Sequence, residues 1–209
     1  MKRICLAAVL AMMFLLAGCR EPTAAGIKSR LEKRMAELNS YHALSELRIK
    51  TDKTIKKYEA EQWYLDTGFC RVDVRLPEGT LQKFISDGNF IYIYEEELDE
   101  WFKADLDQEP YPIPPFMLPG YLQNILAAGR VEYLGKEKYD QGSYYKLEIE
   151  PCDASPMRKT EIFWLDTKTM LPVRIDTYGE DGELTAEHSF KEINLNIKLD
   201  EEIFQTNFE

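Results

Sequence analysis

Between Gly26 and Asn39 the apolar residues Ile27, Leu31, Met35 and Leu38 recur every third or fourth position, which places them on one face of a helix. Beyond Asn39 the period changes to two. In Phe69–Leu76, Cys70, Val72, Val74 and Leu76 alternate with Arg71, Asp73 and Arg75, as in a strand with one wet face. Similar runs occupy Tyr41–Thr51, Ile55–Tyr64, Leu81–Ser86, Phe90–Glu95, Glu100–Ala104, Arg130–Leu134, Tyr144–Glu150, Thr160–Leu165, Val173–Tyr178 and Leu184–Ile193. Asp87-Gly88-Asn89, Gln141-Gly142-Ser143 and Asp181-Gly182-Glu183 are hairpin signals between them. Even spacing and short turns predict an antiparallel meander of about ten strands, closed or half-closed.

Two strands break the alternation. Phe90-Ile91-Tyr92-Ile93-Tyr94 and Ile162-Phe163-Trp164-Leu165 are apolar on both faces. They predict a curved sheet whose concave side holds a helix or a lipid-sized cavity, its convex side partly covered by another element or another protein. A plain two-layer core is the simpler alternative. The meander itself is interrupted at Glu109–Gly120, where Pro110, Pro112, Pro114, Pro115 and Pro119 exclude a regular ladder. This loop is unusually apolar (Tyr111, Ile113, Phe116, Met117, Leu118), so it either packs over the sheet or awaits a partner. After it, Tyr121, Leu122, Ile125 and Leu126 predict a short helix ending at Gly129.

The N-terminus carries a different signal. Lys2 and Arg3 precede the apolar run Ile4–Leu16, then Leu16-Ala17-Gly18-Cys19. A basic start, a short apolar stretch and small residues before a cut describe a secretory leader. The run is shorter than the roughly 20 residues a membrane-spanning helix needs. Leu-Ala-Gly-Cys resembles the bacterial lipobox, which implies a diacylglyceryl group on Cys19. Two acyl chains anchor stably where one does so only marginally. The expected organisation is a leader over residues 1–18, a lipidated polar tether over 19–26 and one domain over 27–209, lying outside the cytoplasm and held to the cell membrane.

Charge narrows the partners. The chain is formally −11, and removing Lys2 and Arg3 with the leader makes it −13. A nucleic acid needs clustered cations, so that class is excluded, and so is flat adsorption on anionic headgroups. Of four cysteines, Cys5 departs with the leader and Cys19 is the anchor. Cys70 and Cys152 remain, and a disulfide between them and a pair of free thiols both fit the sequence.

Catalytic signatures are sparse. His42 and His188 each lie in a predicted strand without a second ligand at metal spacing. The chain contains no Gly-x-Ser-x-Gly elbow, phosphate-binding glycine loop or dinucleotide fingerprint. Cys70 has no sequence-recognisable base beside it, and Glu95-Glu96-Glu97 and Glu180-Asp181 read as solvated turns. No catalytic residue, metal or cofactor is assigned, and binding is preferred to an enzyme.

Three phrases carry a resemblance. Ser86-Asp87-Gly88-Asn89-Phe90-Ile91-Tyr92-Ile93-Tyr94 is similar to a hairpin of periplasmic lipoprotein carriers of the LolA/LolB type. Trp164-Leu165-Asp166-Thr167-Lys168-Thr169-Met170-Leu171-Pro172-Val173-Arg174-Ile175 resembles their later hairpin, in which an acidic turn leads into Leu-Pro-x-Arg. Phe190–Asn196 followed by Asp200-Glu201-Glu202-Ile203-Phe204 is similar to their closing strand and tail. With the lipobox, these phrases most resemble the germination lipoproteins of spore-forming Gram-positive bacteria. The resemblance implies a mainly β fold with two helices, an incomplete antiparallel β-barrel wrapped around them. It also implies either of two roles: binding a protein partner such as a peptidoglycan amidase of the spore cortex, or binding lipid or lipoprotein acyl chains in the concave cavity. An envelope sensor for an anti-sigma system ranks lower. The residues nominated for a cavity or partner surface are Phe90, Tyr92, Tyr94, Phe116, Met117, Leu118, Phe163 and Trp164. A lipid-anchored chain cannot shuttle, so the partner-binding role is ranked first.

Overall fold

The computed structural model describes residues 21–51, 53–105, 116–139 and 142–206. The leader, Cys19 and the proline-rich stretch up to Pro115 lie outside them.

Eleven antiparallel strands form one open sheet in the order β6-β5-β4-β3-β2-β1-β11-β10-β9-β8-β7. They are β1 (Ser40–Lys50), β2 (Ile55–Leu65), β3 (Cys70–Arg75), β4 (Leu81–Ser86), β5 (Phe90–Glu95), β6 (Glu100–Asp105), β7 (Val131–Tyr139), β8 (Gly142–Ile149), β9 (Thr160–Asp166), β10 (Pro172–Tyr178) and β11 (Leu184–Leu195). The first and last strands meet in the middle, with β1 pairing both β2 and β11. The two edges, β6 and β7, are therefore neighbours in sequence. The segment joining them contains helix α2 (Leu118–Ala127), and helix α1 (Ala24–Ala36) precedes β1.

Each of the eleven alternating runs is a strand. β7 continues five residues past Leu134 because its ladder with β8 resumes beyond a bulge at Gly135, whose φ of 118° suits glycine. α1 starts at Ala24, within the stretch expected to be tether. Thr23 Oγ1 accepts from Gly26 N at 3.1 Å and caps it. α2 starts earlier than Tyr121, because Pro119 occupies the first turn, where its missing N–H costs nothing.

Directly paired residues share a face of the sheet, so the ladders decide what points inward. One row crosses Tyr58–Leu47–His188–Ile175–Phe163–Leu147–Tyr133. A second crosses Ala43–Gln62–Val72–Phe84–Ile93–Phe102. Ile27 and Leu31 of α1 and Leu118, Leu122 and Ile125 of α2, all fully buried, fill this side together with Tyr41, Leu147, Phe163 and Leu165. The sequence motif before Leu171-Pro172 is where α1 docks. Arg30 donates to the carbonyl of Thr167 at 3.0 Å and Arg34 to that of Thr169 at 2.9 Å. The convex side is charged over β7–β11. Over β3 it is covered by the chain's own tail, a 3₁₀ turn at Glu201–Phe204. There Phe204 packs 5.7 Å from Phe69, and Arg71 donates to Ile203 O at 2.9 Å.

Candidate functional site

The helices do not fill the concave side. The floor beyond α2, built from β1–β4, carries Leu47, Ile49, Tyr58, Ala60, Val74, Leu76 and Phe84, all half-buried although all but Tyr58 are wholly apolar. These residues enclose a space of about 190 Å³ that Gln62, Gln82, Phe116 and His188 complete. A second space of about 390 Å³ shares Leu47, Ile49 and Phe116 with it and extends over β9–β11 to Thr177, Glu161, Arg158 and Asp153. Phe116, at the entry to α2, stands between the two. A bipartite groove of this kind, apolar with a few polar groups, falls within the roughly 300–1,000 Å³ typical of small-ligand sites.

Polar side chains fix the roof to the floor. The Gln62 amide donates to Phe116 O at 3.3 Å and to Ser45 Oγ at 3.4 Å. Its carbonyl accepts from Tyr41 Oη at 2.9 Å, and Tyr41 Oη accepts from Leu118 N at 3.3 Å. Burial raises the Tyr41 phenol well above its usual range, so it stays neutral. On the central row Tyr121 Oη lies 2.7 Å from His188 Nδ1, and the His188 ring stacks 4.7 Å from Phe190. Burial pushes the His188 imidazolium pKa down to about 4 and the Tyr121 phenol up, which makes this pair neutral at pH 7. At the wider end Glu161 is buried, and burial raises its carboxyl pKa against the opposing effect of Arg158. Arg158 forks onto it at 2.8 and 3.1 Å and also bonds Asp153.

The nominated residues divide by face. Phe116 lines the groove. Met117 at the cap of α2, Leu118 in its first turn and Phe163 on β9 are fully buried and belong to the core. Phe90, Tyr92, Tyr94 and Trp164 point outward, away from the cavity and onto the face that the other half of their nomination, a partner surface, requires. Tyr92 shares the row Trp63–Arg71–Ile85–Tyr92–Lys103, and Trp164 pairs with Lys146 and Arg174. Lysines lie over these outward rings: Lys103 Nζ is 3.4 Å from the Phe90 centroid and Lys146 Nζ 4.4 Å from that of Trp164. β9 thus buries its inward Phe163 and Leu165 under the helices and gives its outward Trp164 to cations, whereas in β5 the inward Ile91 and Ile93 stay half-buried while the outward rings take the lysine. The disulfide is not formed. Cys70 is a half-buried thiol raised to about 11 by burial, and Cys152 is exposed and donates to Ala127 O at 3.3 Å. Sequence reasoning missed Gln62, Phe84 and His188 as groove residues. Their alternation was visible, but their convergence depends on register between strands far apart in the chain.

Among the described residues no helix is long and apolar enough to cross a membrane, and no three His, Cys, Asp or Glu side chains come together at metal-holding distance.

No curated protein matches the chain. Among solved structures, an uncharacterized conserved protein from Thermus thermophilus is similar with a TM-score of 0.61 at 14% identity, over 87% of this chain and 91% of that one. That likeness shows a common fold. Also similar are a LolA superfamily protein from Nitrosomonas europaea (TM-score 0.43, 16% identity, 90% and 99% covered) and MucB in its complex with MucA from Pseudomonas aeruginosa (0.48, 19%, 86% and 61%). The mainly β fold with two helices, an incomplete antiparallel barrel wrapped around them, expected from the LolA/LolB resemblance is the architecture observed. The model of the YdcC-like sporulation protein family matches residues 1–204, and the chain belongs to that family.

Proposed function

We propose that this chain is a non-catalytic binding protein of the cell envelope in sporulating cells, tethered outside the cytoplasm by a diacylglyceryl group on Cys19. Its concave groove holds an acyl chain of a lipid or a lipid-modified protein. The observation that carries this reading is the uncovered floor. Leu47, Ile49, Val74, Leu76 and Phe84 lie half-buried beside a space that no described side chain fills. Apolar surface left open in this way gains about 25 cal/mol per Å² when an apolar ligand covers it. Displacement of a fluorescent fatty acyl ester from the purified protein tests the reading. Saturable binding that Phe84→Asp abolishes is expected, and the absence of any displaceable binding would overturn it. For the tether, replacing Cys19 by Ala is expected to release the protein from the membrane fraction and to end labelling by radioactive palmitate.

The sequence ranks a protein partner first; the groove supports acyl binding more directly, and acyl binding is placed first in this reading. A protein partner, such as an amidase-like enzyme of the spore cortex, keeps support from one feature. Phe90, Tyr92, Tyr94 and Trp101 form an aromatic strip on the outer face beside edge strand β6, and aromatic residues are enriched at interfaces. Co-purification from sporulating cells that survives Phe84→Asp but not Tyr94→Ala would favour this second role.

A further inference from the structure

His188 is the one ionisable histidine on the concave face of the central strands, 3% exposed, in the wall of the narrower space. Its Nδ1 is engaged by Tyr121 Oη at 2.7 Å. That contact is the only hydrogen bond the Tyr121 hydroxyl makes among the described residues, and Tyr121 is itself buried. A buried O–H left without an acceptor is costly, so the hydroxyl donates to Nδ1. A neutral imidazole then carries its proton on Nε2. Nε2 has no acceptor among the described residues, and the rest of the narrower wall is mostly apolar: Leu47, Ile49, Val74, Leu76 and Phe84. Among the described residues the wall also lacks a cation, and the neighbouring Arg158 is committed to Glu161 and Asp153. An ionised carboxylate would be uncompensated there.

We propose that His188 Nε2–H is the polar anchor of the groove and donates a hydrogen bond to the carbonyl oxygen of an uncharged acyl ester or amide, whose chain lies along Leu47, Val74 and Phe84. This rests on the acyl-binding reading above and adds what part of the ligand is recognised. Tyr121 is a positioning residue, since it sets the tautomer without reaching the ligand.

The test uses the full chain carrying Cys19→Ser, so that its own acyl groups cannot occupy the groove. Methyl palmitate and hexadecyl methyl ether, which differ by the carbonyl, compete against the uncharged methyl ester of a dansyl-labelled undecanoic acid. The ester is expected to displace the probe about five- to tenfold more effectively, the range of one net hydrogen bond, and His188→Phe to bring the two competitors level. Since only His42 and His188 are present, ¹H–¹⁵N correlation of the imidazoles reads the tautomer without any mutation of the site. A proton on Nε2 of His188 that moves downfield when the ester binds supports the proposal. A proton on Nδ1, or equal displacement by ester and ether in the unmutated site, overturns it while leaving the groove reading intact. Failure of both competitors to displace the probe overturns the groove reading and the anchor with it. A dipalmitoyl-glyceryl-cysteine peptide run against dipalmitoylglycerol then separates a lipoprotein source of the ester from a lipid one.

Discussion

The two arms of the sheet solve the same problem in opposite ways. Both arms have strands too apolar for one solvated face, β5 in one and β9 in the other. In the β7–β11 arm the concave side is sealed beneath α2, where Phe163, Leu165, Leu147 and Ile149 are at most 1% exposed, and it opens only towards Glu161 and Thr177. Its convex side is a ladder of ion pairs, such as Arg174 with Asp176 at 2.6 Å and Glu187 at 2.7 Å. In the β2–β6 arm the cover lies on the convex side, where Phe204 of the tail and the outward Ile85 are buried. The described residues leave the concave floor there open around Val74, Leu76 and Phe84. Two helices are too few to line a sheet of eleven strands, and where they stop the hydrophobic face becomes a groove. A groove of this kind needs no special residues, only an incomplete lid.

That contrast can be broken at several points. The largest effect is expected in the sealed arm, where Phe163→Ala should cost about 3–5 kcal/mol in chemical denaturation. Phe84→Ala on the open floor should cost about 1 kcal/mol, because much of its surface is already exposed. Equal costs would mean that the groove is filled in solution. Phe204→Ala removes the tail's anchor from the convex face and should cost about 3 kcal/mol, with cleavage after the β11 strand accelerated in limited proteolysis.

Between these arms, on the outer face of β1, Glu46 holds Arg48, Lys57 and Lys191 at 2.7, 3.0 and 2.9 Å. Burial raises its carboxyl pKa, but hydrogen bonds from Lys191, Lys57 and Arg48 outweigh that effect and hold it at about 2. A depressed carboxyl stabilises the fold above its unfolded pKa near 4.5, and the contribution is lost as pH falls from there towards 2. Glu46→Gln should therefore cost about 1 kcal/mol at pH 7 and flatten the acid limb of a stability–pH profile. The smallest effect concerns His188. Its folded pKa lies near 4 against 6.5 when unfolded, so the unfolded chain binds the proton first and stability declines as pH falls from 6.5 to 4. His188→Gln should remove that slope and leave the one due to Glu46, two features that thermal melts at stepped pH can separate.

The legibility of the chain follows the same division. Nothing local marks Arg30 and Arg34 as the anchors of α1, and Asp166–Leu171 reads only as an acidic turn. Their meeting, which seats α1, joins residues 135 and 137 apart in the chain. Cys70 and Cys152 looked pairable because an oxidising compartment permits it. One lies on β3 and the other beyond β8, in opposite arms.

Short-range order was written in the pattern itself. A period of two or of 3.6 in polarity is a local property, so all eleven strands, both helices and the break between β6 and β7 could be found residue by residue, as could the acidic balance. Alternation says that a strand has two faces but carries no sign for which one turns inward. That sign comes from register between strands such as β1 and β11, more than a hundred residues apart, and from where α2 comes to rest. Tertiary packing alone therefore decided that Phe163 is core, that Trp164 and Tyr92 look outward, and that His188 ends in the wall of a groove.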